Sequence, residues 1–169
     1  MAEGEEITII EAGIGFGPWN RRWERMRKHP DWTWTTDLKL PSVQGAGQLF
    51  LGELLRALQR EQWSEHEIFG IHLAAEEALV NAIRHGNGSD RNKQVYISCK
   101  LNPRRLWLEI ADEGAGFDAA LVPDCTQRQN LSRPNGRGIM LMRNYMSRVE
   151  YRFEGRHRVI MEKERTILG

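Results

Sequence analysis

The sequence predicts an α+β fold, a two-layer sandwich in which helices cover one face of a mostly antiparallel mixed sheet. Two segments between Val43 and Ala82 carry apolar residues at three-and-four spacing, the period of a buried helix face. Two later stretches alternate apolar and polar residues around short turns, the pattern of β-hairpins. At 169 residues, with 40% hydrophobic and 28% charged, the chain has the size and composition of one ordinary globular domain.

Residues 1 to 30 differ from the rest and are read as an N-terminal extension, with 31 to 169 as the folded domain. The extension holds Gly13, Gly15 and Gly17, then a basic stretch with Arg21, Arg22, Arg25, Arg27 and Lys28. Pro18 suits a first helical turn, after which Trp19, Trp23 and Met26 share a face opposite the arginines. An amphipathic flap packed on the domain is the plain reading of that stripe, and a contact with a partner or nucleic acid is the other.

Trp32 to Leu40 reads as a strand that stops at Pro41. A first helix is expected immediately afterwards, burying Val43, Ala46, Phe50, Leu54 and Leu58 with Leu51 and Leu55 beside them. A second opens at Ser64, whose pairing with Glu67 makes a capping box, and runs through Ile68, Ile71, Ala75, Leu79 and Ala82 to a stop near Gly86-Asn87-Gly88. Val95, Ile97 and Cys99, a turn at Asn102 to Arg105, then Leu106, Leu108 and Ile110 form the first hairpin. Phe117 to Asn135, with Pro123 and Pro134, is long and irregular, a length at which loops tend to be disordered or to act as lids. Gly138 to Met146 suits a helix, and Val149 to Phe153 with Val159 to Glu162 suits a second hairpin turning at Glu154-Gly155.

A net charge of +1 gives the chain as a whole no electrostatic attraction for nucleic acid or an anionic membrane. Cys99 and Cys125 lie far apart with no metal-ligand spacing, which points to neither a zinc site nor a disulfide framework and to a reducing compartment. The acidic start MAEGEEITII is unlike a secretory signal, and no stretch approaches the ~20 apolar residues needed to span a bilayer. A cytoplasmic protein is expected.

Three motifs carry the chemistry. On the second helix, Glu77, Asn81 and His85 recur at intervals of four and project from one face, away from Leu79 and Ala82. At the end of a predicted strand stands Asp112-Glu113-Gly114-Ala115-Gly116, an acidic residue followed by glycines that let backbone come close to a ligand. Gly136-Arg137-Gly138 closes the long loop and opens a helix, whose first N–H groups form a ready site for phosphate oxygens. Singly, each is as well explained by solvated surface or loop punctuation. Their order and context are more specific.

Together they resemble the N, G1 and G2 boxes of the GHKL ATPases, over roughly Trp32 to Glu162. The wording EEALVNAIRHG with DEGAGFD in a short chain is most similar to the anti-sigma-factor serine kinases of that superfamily. A histidine kinase would carry a phosphoacceptor histidine on a preceding helical segment, whereas residues 1 to 60 hold only His29 beside Pro30; gyrase-like or chaperone-like members would need transducer domains.

The resemblance implies the Bergerat ATP-binding fold, with ATP and Mg2+ as cofactors. Asn81 would coordinate the metal that bridges the phosphates, and Glu77 would be the general base for a partner's hydroxyl. The neighbouring Glu76 lacks the four-residue offset from Asn81. Arg84 and His85 would lie near the phosphates, His85 being the stronger match. Asp112 would accept a hydrogen bond from the adenine amino group, with Gly114 and Gly116 beside the base. Gly136 and Gly138 would flank the phosphates. Arg133 or Arg137 would neutralise the transferred phosphoryl group; Arg133 is favoured because the family often has an arginine shortly before the G2 glycines. The reaction implied is transfer of the γ-phosphoryl group of Mg-ATP to a serine or threonine of an antagonist protein. The other partners implied are a sigma factor and a second copy of the chain, with no direct nucleic-acid or membrane contact. The alternative is a regulatory module of the same fold that binds ATP or ADP without catalysis.

Overall fold

The computed structural model describes residues 31–114 and 137–165. The expected extension over 1 to 30 and the lid over 117 to 135 lie outside them. The elements run β1 (Trp34–Pro41), α1 (Gln48–Arg60), α2 (Glu65–Val80), a π-helical segment (Asn81–Gly86), β2 (Gln94–Leu101), β3 (Arg105–Asp112), α3 (Arg137–Tyr145), β4 (Arg148–Phe153) and β5 (His157–Glu164). The strands form one five-stranded sheet in the order β1-β2-β3-β5-β4, and all four described pairings are antiparallel. The expected α+β architecture is present, with no parallel ladder among the described residues.

The inner sheet face is made by the alternation read in the sequence. Val95, Ile97, Cys99 and Leu101 of β2, Leu106, Leu108 and Ile110 of β3, and Val159 and Met161 of β5 are buried against the helices. From above they meet Phe50, Leu51, Leu54, Ala57 and Leu58 of α1, Ile71, Ala74, Ala75, Ala78 and Leu79 of α2, and Met142 of α3. The capping box forms as expected: Ser64 Oγ accepts from the Glu67 N–H (3.3 Å) and Glu67 Oε2 accepts from the Ser64 N–H (3.0 Å). At the other end of the helical layer, the Lys163 ammonium donates to the carbonyl of Tyr145 (2.7 Å), satisfying an end carbonyl of α3.

Two features depart from the sequence reading. The first helix begins at Gln48 and not directly after Pro41. Gly45 has φ +86°, a left-handed conformation that a continuous α-helix does not admit, so Ser42 to Gly47 form turns instead. The outer sheet face is also less solvated than an open face with helices on one side would be. Trp107 and Ile160, both 4% exposed, make a second apolar cluster there with Trp32.

α2 and α3 cross closely at Gly70. A Cβ on Gly70 would stand 2.8 Å from Tyr145 Cγ and 3.0 Å from its Cβ, at the stem of that side chain and not at a flexible tip. Helix propensity alone makes Gly70→Ala stabilising by about 1 kcal/mol, but overpacking at a fixed crossing costs about 1–3 kcal/mol. Net destabilisation is the expected result of urea titration; a gain in stability would show that the crossing yields.

Candidate functional site

The site is built along one helical run that changes pitch. α2 ends at Val80, and the chain continues as a π-helix over Asn81 to Gly86, with the Asn87 N–H donating back to the Ala82 carbonyl (2.8 Å). Freed carbonyls in this segment find other donors: Ile83 O accepts from the Ser89 N–H (2.8 Å) and lies 3.5 Å from the hydroxyl of buried Ser42. Single-turn π segments inside helices recur at functional sites.

Before the change of pitch, Glu77 and Asn81 share a face, and α3 docks against it. A Cβ on Gly138, in the first turn of α3, would collide with the Glu77 carboxylate and come 3.7 Å from Asn81 Nδ2. Only a residue without a side chain leaves both groups room beside the positive end of α3. His85, four residues beyond Asn81, is exposed near the end of the π segment. Arg84, in the π segment, is exposed. It lines a cavity of about 240 Å3 with Gln44, Gln48, Glu76, Leu79 and Val80. Glu76 therefore belongs to that cavity, one residue around the helix from the face that meets Gly138.

The other end of the site lies where β3 stops. Asp112 is 8% exposed, and its Oδ1 accepts from the Gly114 N–H (2.9 Å). Gly86, the last residue of the π segment, packs so tightly on this turn that a Cβ would overlap the Asp112 carboxylate, and one on Gly114 would overlap the Gly86 carbonyl. Burial pushes the Asp112 carboxyl above the usual aspartate range, against the opposing pull of the Gly114 N–H and the charges of His157 and Lys93.

Gly86 is thus a residue of the site to which sequence reasoning gave no role, because a glycine at the end of a helix reads as a stop signal. Glu113 and Asn87 were missed in the same way. Asn87, only 2% exposed, accepts from the Glu113 N–H (2.8 Å), which no spacing rule reveals. Of the remaining sequence-expected residues, Arg137 opens α3, while Gly116, Arg133 and Gly136 lie outside the described residues. Among the described residues, no group of three or more His, Cys, Asp or Glu side chains is placed to hold a metal, and no helix is long and apolar enough to cross a membrane.

An antiparallel sheet backed by a helix that carries Glu77 and Asn81, with Asp112 at a strand end and Gly138 at a helix start, matches a known family. The family model described as histidine kinase-like ATPase domain matches residues 47–163, more than half of the chain, and the chain belongs to that family. Among curated relatives it is similar to the serine/threonine-protein kinase BtrW of Bordetella bronchiseptica, 32% identical over 94 residues, or 54% of this chain and 66% of that one. It is also similar to the anti-sigma F factor of Shouchella clausii, 42% identical over 82 residues (47% of this chain, 56% of that one). The anti-sigma F factor of Clostridium novyi is 32% identical over 103 residues, 58% of this chain and 71% of that one. The chain spans less than two thirds of the length of the first two relatives.

Because the folded-state pKa of Asp112 lies above its unfolded value, the native chain binds more protons than the unfolded chain between the two. Its stabilising contribution is then fully present below the unfolded pKa and is lost as pH rises through the folded one. Carboxyl carbon NMR of Asp112 in the full chain is expected to give a midpoint above the ordinary aspartate range. A midpoint at or below that range would contradict the burial account.

Proposed function

We propose that the chain is an ATP-dependent serine/threonine protein kinase of the anti-sigma-factor type, which phosphorylates an antagonist protein and thereby regulates a sigma factor by partner switching. The observation that carries this reading is the meeting at Gly138. There the start of α3 stands against both Glu77 and Asn81, so that a carboxylate and a carboxamide meet the first turn of a helix. The relatives named as a serine/threonine-protein kinase and as anti-sigma F factors support it.

Asn81 fits a magnesium site of the kind that takes one protein oxygen and leaves its other positions to phosphates and water. Its amide is half-buried beside Gly138, and no competing cluster of ligands is present among the described residues. Bound there, Mg2+ would supply charge neutralisation for the phosphate oxygens. The N–H groups at the start of α3 would bind those oxygens, and the lack of a side chain at Gly138 keeps the approach open.

Glu77 would accept the hydroxyl proton of the partner's serine or threonine as its oxygen bonds to the γ-phosphorus and the bond from that phosphorus to the β–γ bridging oxygen breaks, with ADP leaving. Arg133 or Arg137 would neutralise the transferred group. Asp112, backed by Gly86 and Gly114, would accept the adenine amino group; guanine presents a carbonyl at that edge and would be repelled. His85, Gly116 and Gly136 complete the nucleotide-binding set in this reading. Arg84, which lines the cavity with Gln44 and Gln48, would lie near the phosphates in the same reading. The partners are the antagonist, a sigma factor and a second copy of the chain.

Incubating the chain with γ-labelled Mg-ATP and a panel of small antagonist-type proteins tests this. Label is expected on a serine or threonine of one partner. Glu77→Gln should lower transfer by about 10²- to 10⁴-fold while nucleotide affinity is retained, and Asn81→Ala should weaken both. Transfer at the original rate in Glu77→Gln would remove Glu77 as the base. Intact nucleotide binding with no label on any partner would favour the non-catalytic module.

A further inference from the structure

Glu113 stands where the chain leaves β3, between Asp112 and Gly114, and it is tied down through both main chain and side chain. Its N–H donates to Asn87 Oδ1 (2.8 Å). Its Oε2 accepts from the Gln94 N–H (2.9 Å) and its Oε1 from the Tyr96 hydroxyl (2.7 Å). Arg156, in the turn between β4 and β5, lies 3.9 Å from the same Oε1 and stacks its guanidinium 3.8 Å from the centre of the Tyr96 ring. Asn87 is saturated in turn: its Nδ2 donates to the Gln94 carbonyl (2.9 Å) and its N–H to the Ala82 carbonyl (2.8 Å).

These bonds join the two walls of the tight corner at Asp112. Asn87 directly follows Gly86, whose bare Cα faces the Asp112 carboxylate, and Glu113 is the link between Asp112 and Gly114. One partly buried hydrogen bond, Glu113 N–H to Asn87 Oδ1, therefore spans from the end of the π segment to the end of β3. The side-chain bonds of Glu113 fix the direction in which the chain turns away. A carboxylate that reads a base edge must be held within a fraction of an ångström, and such precision comes from the groups behind it.

We propose that Asn87 and Glu113 are positioning residues for base selectivity: their hydrogen bond, braced by Tyr96 and Arg156, holds the Asp112 carboxylate in the orientation that accepts an adenine amino group and rejects the guanine carbonyl. This rests on the reading of Asp112 as the base-recognising carboxylate. Neither residue touches the nucleotide; both act through Asp112.

The test measures equilibrium binding of ATP, GTP and inorganic tripolyphosphate to the full chain and to Asn87→Ala, Glu113→Gln and Asp112→Asn. Tripolyphosphate carries no base and reports the phosphate end alone. The ratio of ATP to GTP affinity does not depend on how much protein is folded, so a merely structural role leaves it unmoved. Asn87→Ala and Glu113→Gln are each expected to lower that ratio by about tenfold while tripolyphosphate affinity is kept, the usual scale for losing a group that orients a ligand-binding one. Glu113→Gln preserves volume and carries the test if Asn87→Ala does not fold. A ratio changed by Asp112→Asn but not by the other two would overturn the positioning role and leave the base reading intact. A ratio unchanged by Asp112→Asn as well would overturn both.

Discussion

The close approach of α2 to everything around it is the constraint on which the rest of the structure depends. Its buried face is made largely of small residues, Gly70, Ala74, Ala75 and Ala78, with Ile71 and Leu79 between them, so its backbone can lie near both the sheet and α3. The neighbouring elements answer with glycines. Gly47, at the start of α1, leaves space for the Leu79 side chain, Gly138 of α3 for Glu77, and Gly114 after β3 for the Gly86 carbonyl at the end of the π segment. Side chains at these points would push the helix outward by a methyl group or more and open the core beneath it.

That geometry puts polar groups where burial is expensive, and the structure offsets the cost with specific partners. Among the described residues, the Gly114 N–H and the electrostatic pull of His157 and Lys93 oppose the desolvation of the Asp112 carboxylate and do not cancel it. Glu113, next in sequence, goes the other way. Burial raises it, but the Tyr96 hydroxyl, the Gln94 N–H, and the charges of Arg156 and Lys39 together hold it below the usual glutamate range. Tyr96 is raised, first by burial and then by donating to that carboxylate, so the pair keeps a phenol facing a carboxylate. Adjacent acids are thus shifted in opposite directions, Glu113 toward the ionised form by its donors and Asp112 toward the protonated form by burial.

Most of the architecture was legible because it depends on patterns with a fixed period. The capping box at Ser64, the alternation from Val95 to Ile110 and the order of the three glycine and acidic motifs all appear where they were read. What escaped depends on contacts between segments distant in sequence or on one residue's backbone state. The delayed start of α1 follows from the positive φ of Gly45, which no apolar count registers. The π segment over Asn81–Gly86 rests on wider-spaced bonds, from the Asn87 N–H to the Ala82 carbonyl and from the Ser89 N–H to the Ile83 carbonyl, which no apolar period registers. Trp107 and Ile160 lie on the polar side of their strands, and it takes the pairing of β3 with β5 to bring them together with Trp32 into a cluster.

The change of pitch also explains how one helical run can serve two ends of one site. A π turn closes an i→i+5 bond where an α turn closes i→i+4, so residues after Asn81 are displaced around the axis from where an unbroken α-helix would put them. The π segment instead ends with Gly86 turned onto the Asp112 carboxylate, while Glu77 and Asn81 remain turned toward Gly138. The two corners are joined by one helical backbone segment, from Asn81 to Gly86. The span between these two corners is therefore set by the helical backbone that joins them.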